Sequence, residues 1–344
     1  MRLWSFSLVL LALLALPKHA SAQQAGAAAG KKSEDKSKTI SSPAPIPENW
    51  GVLDDLKTGL EQTASVEVSR DEQPDYVREL VRVQWRIGDP IDLWVIRPKI
   101  TGKVPVVLYL YNYSDSNDRF HDNGWCKRAT ADGFAAVGFV SALTDYRFKM
   151  RPLKTWFVSE LQESLGSSVH DVQLILNYVA NRGDMDMDHV GMFGLGSGAT
   201  IAILAAHADP RIKTLDLLDP WGDWPNWLEQ SPRVPDTERG KYLHPDFLKS
   251  VETLDPLAYL ASLKNVNLRL QQTSSDPVTP KLVQDRMAAA VPDPSQVVKY
   301  ASAADLLKAW STTGLSGWIK QQLRSPNPKV SGEDHPVALN SNSQ

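Results

Sequence analysis

Residues Val190–Thr200, which read VGMFGLGSGAT, decide the fold of this chain. The spacing of glycines over Gly194–Gly198 follows the pattern G-x-X-x-G, which predicts a strand that enters a helix through a strained turn. Such a turn lifts the side chain of its middle residue above the sheet, and in enzymes that use it this residue is the nucleophile. Here the middle residue is Gly196, which has no hydroxyl, and Ser197 follows one position later.

The segments around this turn alternate between strand and helix patterns. A hairpin is predicted around Gly88–Pro90, and the apolar run Val104–Leu110 is typical of a strand buried on both faces. Further strands are predicted at residues 134–140, 190–193, 214–218, 266–271 and 296–300. Helices are predicted at residues 124–132, 170–180 and 199–206. The alternation predicts an α/β fold with a mostly parallel central sheet and helices on both faces, whose site lies at the carboxyl ends of the strands.

The two ends of the chain predict an exported protein. Arg2, the apolar run Leu8–Leu16 and the small residues Ala20–Ala22 form a secretory signal at residues 1–22, with cleavage after Ala22. The apolar run is too short to cross a bilayer of about 30 Å. Residues 23–49 are predicted to be a flexible linker, 50–323 a single folded domain and 324–344 a disordered tail. The predicted location is the periplasm or the medium.

Composition excludes several classes of partner and chemistry. The net charge is −3 and the basic residues are scattered, so no nucleic-acid partner is expected, and no membrane contact is expected after signal cleavage. Cys126 is the only cysteine, which excludes an intrachain disulfide. No cofactor and no metal site are predicted. The sequence leaves the oligomeric state open.

Several segments resemble the α/β-hydrolase superfamily, especially its dienelactone hydrolase, acetyl xylan esterase and prolyl oligopeptidase branches. They are the helix pattern at Asp171–Tyr178, the strand and turn at Val190–Gly194, and Asp255–Leu257 with the following Leu270–Pro280. The resemblance extends over most of Trp50–Leu323. It implies a single α/β-hydrolase-fold domain.

The resemblance also assigns positions to the parts of a catalytic triad. Asp276 falls on the acid position, but it can equally be interpreted as a loop aspartate that caps the helix beginning near Pro280. Gly196 falls on the nucleophile position and Asp305 on the histidine position. The oxyanion region carries Tyr111 and Asn112, whose side chains narrow the approach that glycine permits.

Three interpretations of these residues remain open. The leading one is a catalytically inactive protein of this fold whose old cavity is vestigial or binds a small molecule. The alternative is a secreted esterase or peptidase in which Ser197 is a displaced nucleophile, served by His170 or His121. The third places Asp276 beside Asp305 as a carboxylate pair that binds a hard cation or works as acid and base.

A tryptophan-rich loop follows the predicted strand at 214–218. Trp221, Trp224 and Trp227 are candidates for binding a sugar or an aromatic ligand by stacking. The other interpretation is a loop that its own aromatic rings pack onto the domain.

Overall fold

A computed structural model of the chain describes residues 48–53, 64–86, 88–112, 118–142, 147, 157–314 and 316–324. Contacts divide the chain into Met1–Ala44 and Pro45–Gln344, and every described residue belongs to the second unit. The predicted signal, most of the predicted linker and the tail beyond Arg324 lie outside the described residues. None of the helices in these ranges is long and apolar enough to cross a membrane.

The centre of the fold is a nine-stranded sheet with the order β1-β2-β3-β5-β4-β6-β7-β8-β9. The strands are β1 (Val66–Glu72), β2 (Tyr76–Arg86), β3 (Asp89–Pro98), β4 (Val104–Leu110), β5 (Ala135–Phe139), β6 (Met185–Leu195), β7 (Ile212–Leu218), β8 (Asn267–Thr273) and β9 (Val297–Tyr300). The first three strands pair antiparallel, and β3 pairs antiparallel with β5. All pairs from β5 through β9 are parallel.

Helices separate the parallel strands. They are α1 (Asp118–His121), α2 (Asn123–Thr130), α3 (Leu161–Arg182), α4 (Ser197–Ala208), α5 (Trp224–Gln230), α6 (Asp236–Tyr242), α7 (Pro245–Val251), α8 (Leu257–Leu260), α9 (Lys281–Ala290), α10 (Ala303–Thr313) and α11 (Gly317–Arg324). Short 3-10 turns lie at Ala131–Gly133, Phe157–Glu160, Glu252–Leu254 and Pro294–Gln296. Helices α5 to α8 form one long excursion between β7 and β8.

Both faces of the sheet are buried, which explains the continuous apolar runs of its central strands. In β4, Val106 and Leu108 belong to one hydrophobic cluster, whereas Val107 and Tyr109 belong to the cluster on the opposite face. Helix α4 is buried along nearly its whole length, because its alanines and glycine let it lie close to the strands. These layers fix the carboxyl ends of β4, β6, β7 and β8 at one edge of the sheet.

The structure confirms the predicted α/β architecture and the predicted strands, with two differences. Strand β1 has no predicted counterpart, because nearly all of its side chains are exposed and it shows no apolar alternation. Helix α3 begins at Leu161, nine residues before the predicted start at His170. Its first turns carry Ser and Glu side chains that do not stand out from a loop in the sequence.

Candidate functional site

The predicted turn lies between β6 and α4, and Gly196 is its middle residue. Gly196 has φ 55° and ψ −118°, a combination that side-chain-bearing residues adopt only under strain. Its N–H donates to the carbonyl of Leu218 at 2.8 Å, which ties the turn to the end of β7. Its own carbonyl accepts the N–H groups of Ala199 and Thr200 at 3.0 and 3.1 Å, which starts the helix.

The flanking glycines are required by close backbone approach. A Cβ on Gly194 would lie 2.5 Å from the Cα of Ala199, and a Cβ on Gly198 would lie 2.7 Å from the carbonyl carbon of Leu110. Both distances are far below ordinary carbon contacts. The helix therefore sits tightly against the ends of β4 and β6, and the sharp turn follows from this packing.

The side chain of Asn112 fills the volume that a side chain at position 196 would need. Asn112 follows the end of β4, and its Cγ lies 2.6 Å from the place where a Cβ on Gly196 would be. Its Oδ1 accepts the Ser197 N–H at 3.2 Å and lies 3.3 Å from the Ser197 hydroxyl, which donates to it. In α/β hydrolases the N–H after the nucleophile is an oxyanion donor. In this chain the corresponding N–H, that of Ser197, already donates to the Asn112 carboxamide oxygen.

The second residue of the oxyanion region, Tyr111, is part of the packed wall of the site. Its ring is buried and lies 6.0 Å from the ring of Phe193, between centroids. The guanidinium carbon of Arg119 stands 3.6 Å above its ring centre, a cation–π contact. Of the two residues, Asn112 is the one whose side chain contacts the turn.

Ser197 and the histidines proposed to serve it lie in different environments. Ser197 is the first residue of α4 and is 1% exposed. His170 is buried in α3, where its Nδ1 contacts Glu48 Oε1 at 2.5 Å and its Nε2 contacts the Val52 carbonyl at 2.8 Å. His121 packs edge-on against Trp94, with ring centroids 4.4 Å apart. Both nitrogens of His170 are therefore engaged away from Ser197.

The other described histidines also have structural partners. His189 contacts Asp186 at 2.8 Å, and His207 lies on the ring of Tyr259 with a centroid separation of 4.3 Å. His244 accepts the N–H of Asp246 and so caps the start of α7. None of these contacts is with Ser197.

Asp276 follows the end of β8 and holds the loop that leads into α9. Its carboxylate accepts the N–H of Val278 at 3.1 Å and that of Thr279 at 2.9 Å. The helix-capping interpretation is therefore wrong, because Pro280 is the N-cap of α9 and no side chain caps it, so Asp276 stabilises the loop that precedes the helix. Its position beyond a strand end is still that of the family's acid.

The acidic neighbour of Asp276 is Asp219, a residue that no sequence motif marks as a titratable group. Asp219 follows β7 with φ 46°, and its Oδ1 accepts the Thr273 N–H at 2.8 Å. Burial, with a further contribution from the charge of Asp276, raises the pKa of Asp219 to about 7. The sequence signal that could have indicated Asp219 is its position directly after a buried strand.

The predicted pairing of Asp276 with Asp305 is not supported. Asp305 is exposed on the first turn of α10, where its carboxylate accepts the Ser302 hydroxyl at 2.7 Å and its N–H donates to the same oxygen at 3.3 Å. Ser302 thereby caps the start of α10, and the Asp305 carboxylate holds the Ser302 hydroxyl in place. The bond to Ser302 orients Asp305 at the start of α10, and the spacing Ser302-x-x-Asp305 is the sequence signal that indicates this local contact. Within the described residues, no three His, Cys, Asp or Glu side chains are grouped so as to hold a metal ion.

The tryptophans of the loop after β7 are packed inward, which corrects the interpretation that their faces are open to a ligand. Trp221, Trp224 and Trp227 are at most 2% exposed. Trp221 stacks on Trp227 with centroids 5.0 Å apart, and Trp224 meets Trp227 edge-on at 5.9 Å. The Thr200 hydroxyl donates to the Trp221 carbonyl at 2.6 Å, so the loop is bound to the helix behind Gly196.

The parallel sheet, the strained turn after β6 and the helix behind it define an α/β-hydrolase fold. A comparison with protein families agrees and is more specific. Residues 88–276, which are 189 of the 344 residues, match the model of the family described as X-Pro dipeptidyl-peptidase (S15 family). The chain belongs to this family.

Solved structures with the same fold include esterases and a peptidase. Acetyl xylan esterase 1 from a Thermoanaerobacterium species has a TM-score of 0.59 at 17% identity, covering 82% of this chain and 95% of that one. An acetyl xylan esterase from a Paenibacillus species has a TM-score of 0.59 at 15% identity, covering 79% and 92%. Acylaminoacyl peptidase from Pyrococcus horikoshii has a TM-score of 0.52 at 12% identity, covering 78% and 51%. At these identities the likeness shows the fold alone. Among curated protein sequences, none matches the chain.

Proposed function

We propose that this protein is an exported α/β-hydrolase-fold protein that does not carry out serine hydrolysis. The observation that carries the proposal is the position of Asn112. Its carboxamide stands in the volume of a nucleophile side chain and accepts the Ser197 N–H, which would otherwise be available to an oxyanion. Gly196 supplies no hydroxyl, and serine hydrolysis at this turn needs one.

The alternative function is hydrolysis of carboxylic esters or amides with Ser197 as a displaced nucleophile. A serine hydroxyl is a weak nucleophile until a base within hydrogen-bond reach activates it. The Ser197 hydroxyl donates to an amide oxygen, which is not basic, and His170 is bonded to Glu48 and Val52. These contacts favour the non-hydrolytic proposal.

A fluorophosphonate probe with intact-mass detection tests the proposal directly. We expect no covalent adduct on the mature protein after an exposure that fully labels an active serine hydrolase run in parallel. Stoichiometric labelling that disappears in Ser197→Ala would establish the alternative. The Ser302→Ala variant is the control, because Ser302 is a helix-capping serine near the same edge of the sheet.

Export is part of the proposal and rests on the charged start, the apolar run and the small residues before Gln23. Expression of the full chain in a Gram-negative host followed by N-terminal sequencing tests it. We expect the mature chain to begin at Gln23 and to appear in the periplasmic fraction. Retention of residues 1–22 on protein in the cytoplasm would contradict this part of the proposal.

A further inference from the structure

A groove separate from the Gly196 turn lies among the helices of the excursion after β7. Residues from α5, α7, α8 and α9 line it, and its volume is about 630 Å³, in the range of small-molecule sites. Gly196, Ser197 and Asn112 are not among its lining residues. Five residues form its apolar walls, namely Pro225, Pro245, Leu248, Leu257 and Ala258, and Trp224, which is only 1% exposed, lies against them.

The walls of the groove are held in place by a single carboxylate. Asp255 accepts the N–H groups of Asp223, Trp224 and Leu257 at 2.8, 3.0 and 3.0 Å. These bonds fix the start of α5 against the start of α8. The Trp224 indole N–H donates to the Leu254 carbonyl at 2.9 Å, which sets the orientation of the ring. A site whose walls are already ordered loses little conformational freedom when a ligand binds.

The mouth of the groove offers more accessible positive than negative charge. Arg286 is 51% exposed and contacts Asp223 Oδ2 through its Nε at 3.2 Å, and its terminal amino groups have no hydrogen-bond partner among the described residues. Lys249 also lines the groove and is exposed, with no ion pair in the described part of the chain. Asp223 is buried beneath Arg286, and Asp255 is occupied by backbone N–H groups. Glu252 is the one exposed acid of the lining.

We propose that this groove binds an amphipathic carboxylate whose aryl or acyl body lies on the apolar walls. The carboxylate is held by the terminal amino groups of Arg286, with Lys249 as a second cation. A guanidinium presents two parallel N–H groups that match the two oxygens of a carboxylate. The binding is reversible and makes no covalent bond. It does not depend on the proposed function, because the groove and the Gly196 turn share no lining residue.

Isothermal titration of the mature protein with 4-phenylbutyrate and with its neutral analogue 4-phenylbutyramide tests the proposal. We expect the carboxylate to bind about tenfold more tightly than the amide, since hydrogen bonds to charged groups contribute that much affinity or more. Arg286→Gln should remove this preference and leave the amide affinity unchanged.

Two further variants locate the site. Lys281→Gln removes the same charge from the same helix, but Lys281 pairs with Asp285 outside the groove, so it should bind like the parent. Ala258→Phe places a ring on an exposed lining position and should abolish binding of both ligands. No binding to the parent, equal affinity for acid and amide, or unchanged binding in Ala258→Phe would overturn the proposal. Fluorophosphonate labelling is unaffected by any of these outcomes, so this proposal and the proposed function fail separately.

Discussion

At position 196 the cost of adding a side chain has two parts that mutagenesis can separate. Gly196→Ala must adopt φ 55° and must also displace Asn112, whose Cγ is 2.6 Å from the new Cβ. Gly183→Ala is the matched control, because Gly183 has φ 76° but no atom within 4 Å of its Cβ position. We expect about 1 kcal/mol of destabilisation at Gly183 and about 1 to 3 kcal/mol more at Gly196, measured by urea unfolding.

The part of the cost at Gly196 that comes from crowding should vanish when Asn112 is shortened. In an Asn112→Gly background, the penalty of Gly196→Ala should be smaller by about 1 to 3 kcal/mol, because only the backbone cost of its own φ and ψ remains. Equal penalties in both backgrounds would show that Asn112 does not occupy the volume of the missing side chain.

Asp219 should make stability depend on pH near neutrality. Its pKa is about 7 in the folded protein and about 3.9 in an unfolded chain, so the folded state retains a proton that the unfolded state releases. Its contribution to stability is therefore fully present below about pH 4, declines as pH rises and is lost above about pH 7. An asparagine at position 219 keeps an oxygen that can accept the Thr273 N–H, but it has no carboxyl group that titrates. We expect the melting temperature of the parent, relative to Asp219→Asn, to fall between pH 4 and 7, and a constant difference would contradict this assignment.

At the scale of secondary-structure elements, a buried charge cluster joins α3 to the sheet. Asp171 is fully buried and accepts the Trp85 indole N–H at 2.9 Å, Arg147 Nη1 at 2.8 Å and Arg86 Nη1. Burial opposes its ionisation, but the charges of Arg147 and Arg86 outweigh burial and hold the pKa of Asp171 well below its usual range. Arg147 also pairs with Asp89 at the start of β3.

Removing Asp171 should leave two buried guanidinium groups short of a partner. Asp171→Ala is expected to destabilise the protein by about 3 to 5 kcal/mol, measured by urea unfolding. Asp285→Ala is the control, because it removes an aspartate from the exposed pair with Lys281, and we expect no measurable change. Similar midpoints for the two variants would mean that the cluster is not a tie between α3 and the sheet.

Sequence patterns predicted the elements in which side-chain burial follows a local periodicity. They missed the features that depend on contacts between residues distant in the sequence. Val104–Leu110 matches β4 residue for residue, because a strand buried on both faces is apolar throughout. The exposed strand β1 has no such pattern. The motif showed the glycine at the nucleophile position, whereas the crowding of that position by Asn112, the raised pKa of Asp219 and the groove at Arg286 depend on residues that only the fold brings together.

At the scale of the whole molecule, the folded domain extends slightly further toward the amino end than the predicted boundary at residue 50. Glu48 was predicted to belong to the linker, but its carboxylate accepts Arg86 Nε and Nη2, each at 2.5 Å, and contacts His170. Burial disfavours its ionised form, yet the hydrogen bonds from Arg86 and His170 lower the pKa of Glu48 to about 2. A residue held in this way is part of the domain.

Two truncations should distinguish this boundary from a linker. A chain that begins at residue 48 keeps Glu48 and Val52 and should melt at the same temperature as the mature chain. A chain that begins at residue 54 leaves His170 and Arg86 without these partners, so it should melt several degrees lower, because buried polar groups that lose their bonds are costly.

Glu48→Gln in the mature chain gives an independent check. Since the pKa of Glu48 is lowered, its contribution is present above about pH 4.5 and is lost as pH falls toward 2, so the parent and this variant should converge in acid. Equal melting of the two truncations would place the boundary of the domain after residue 53.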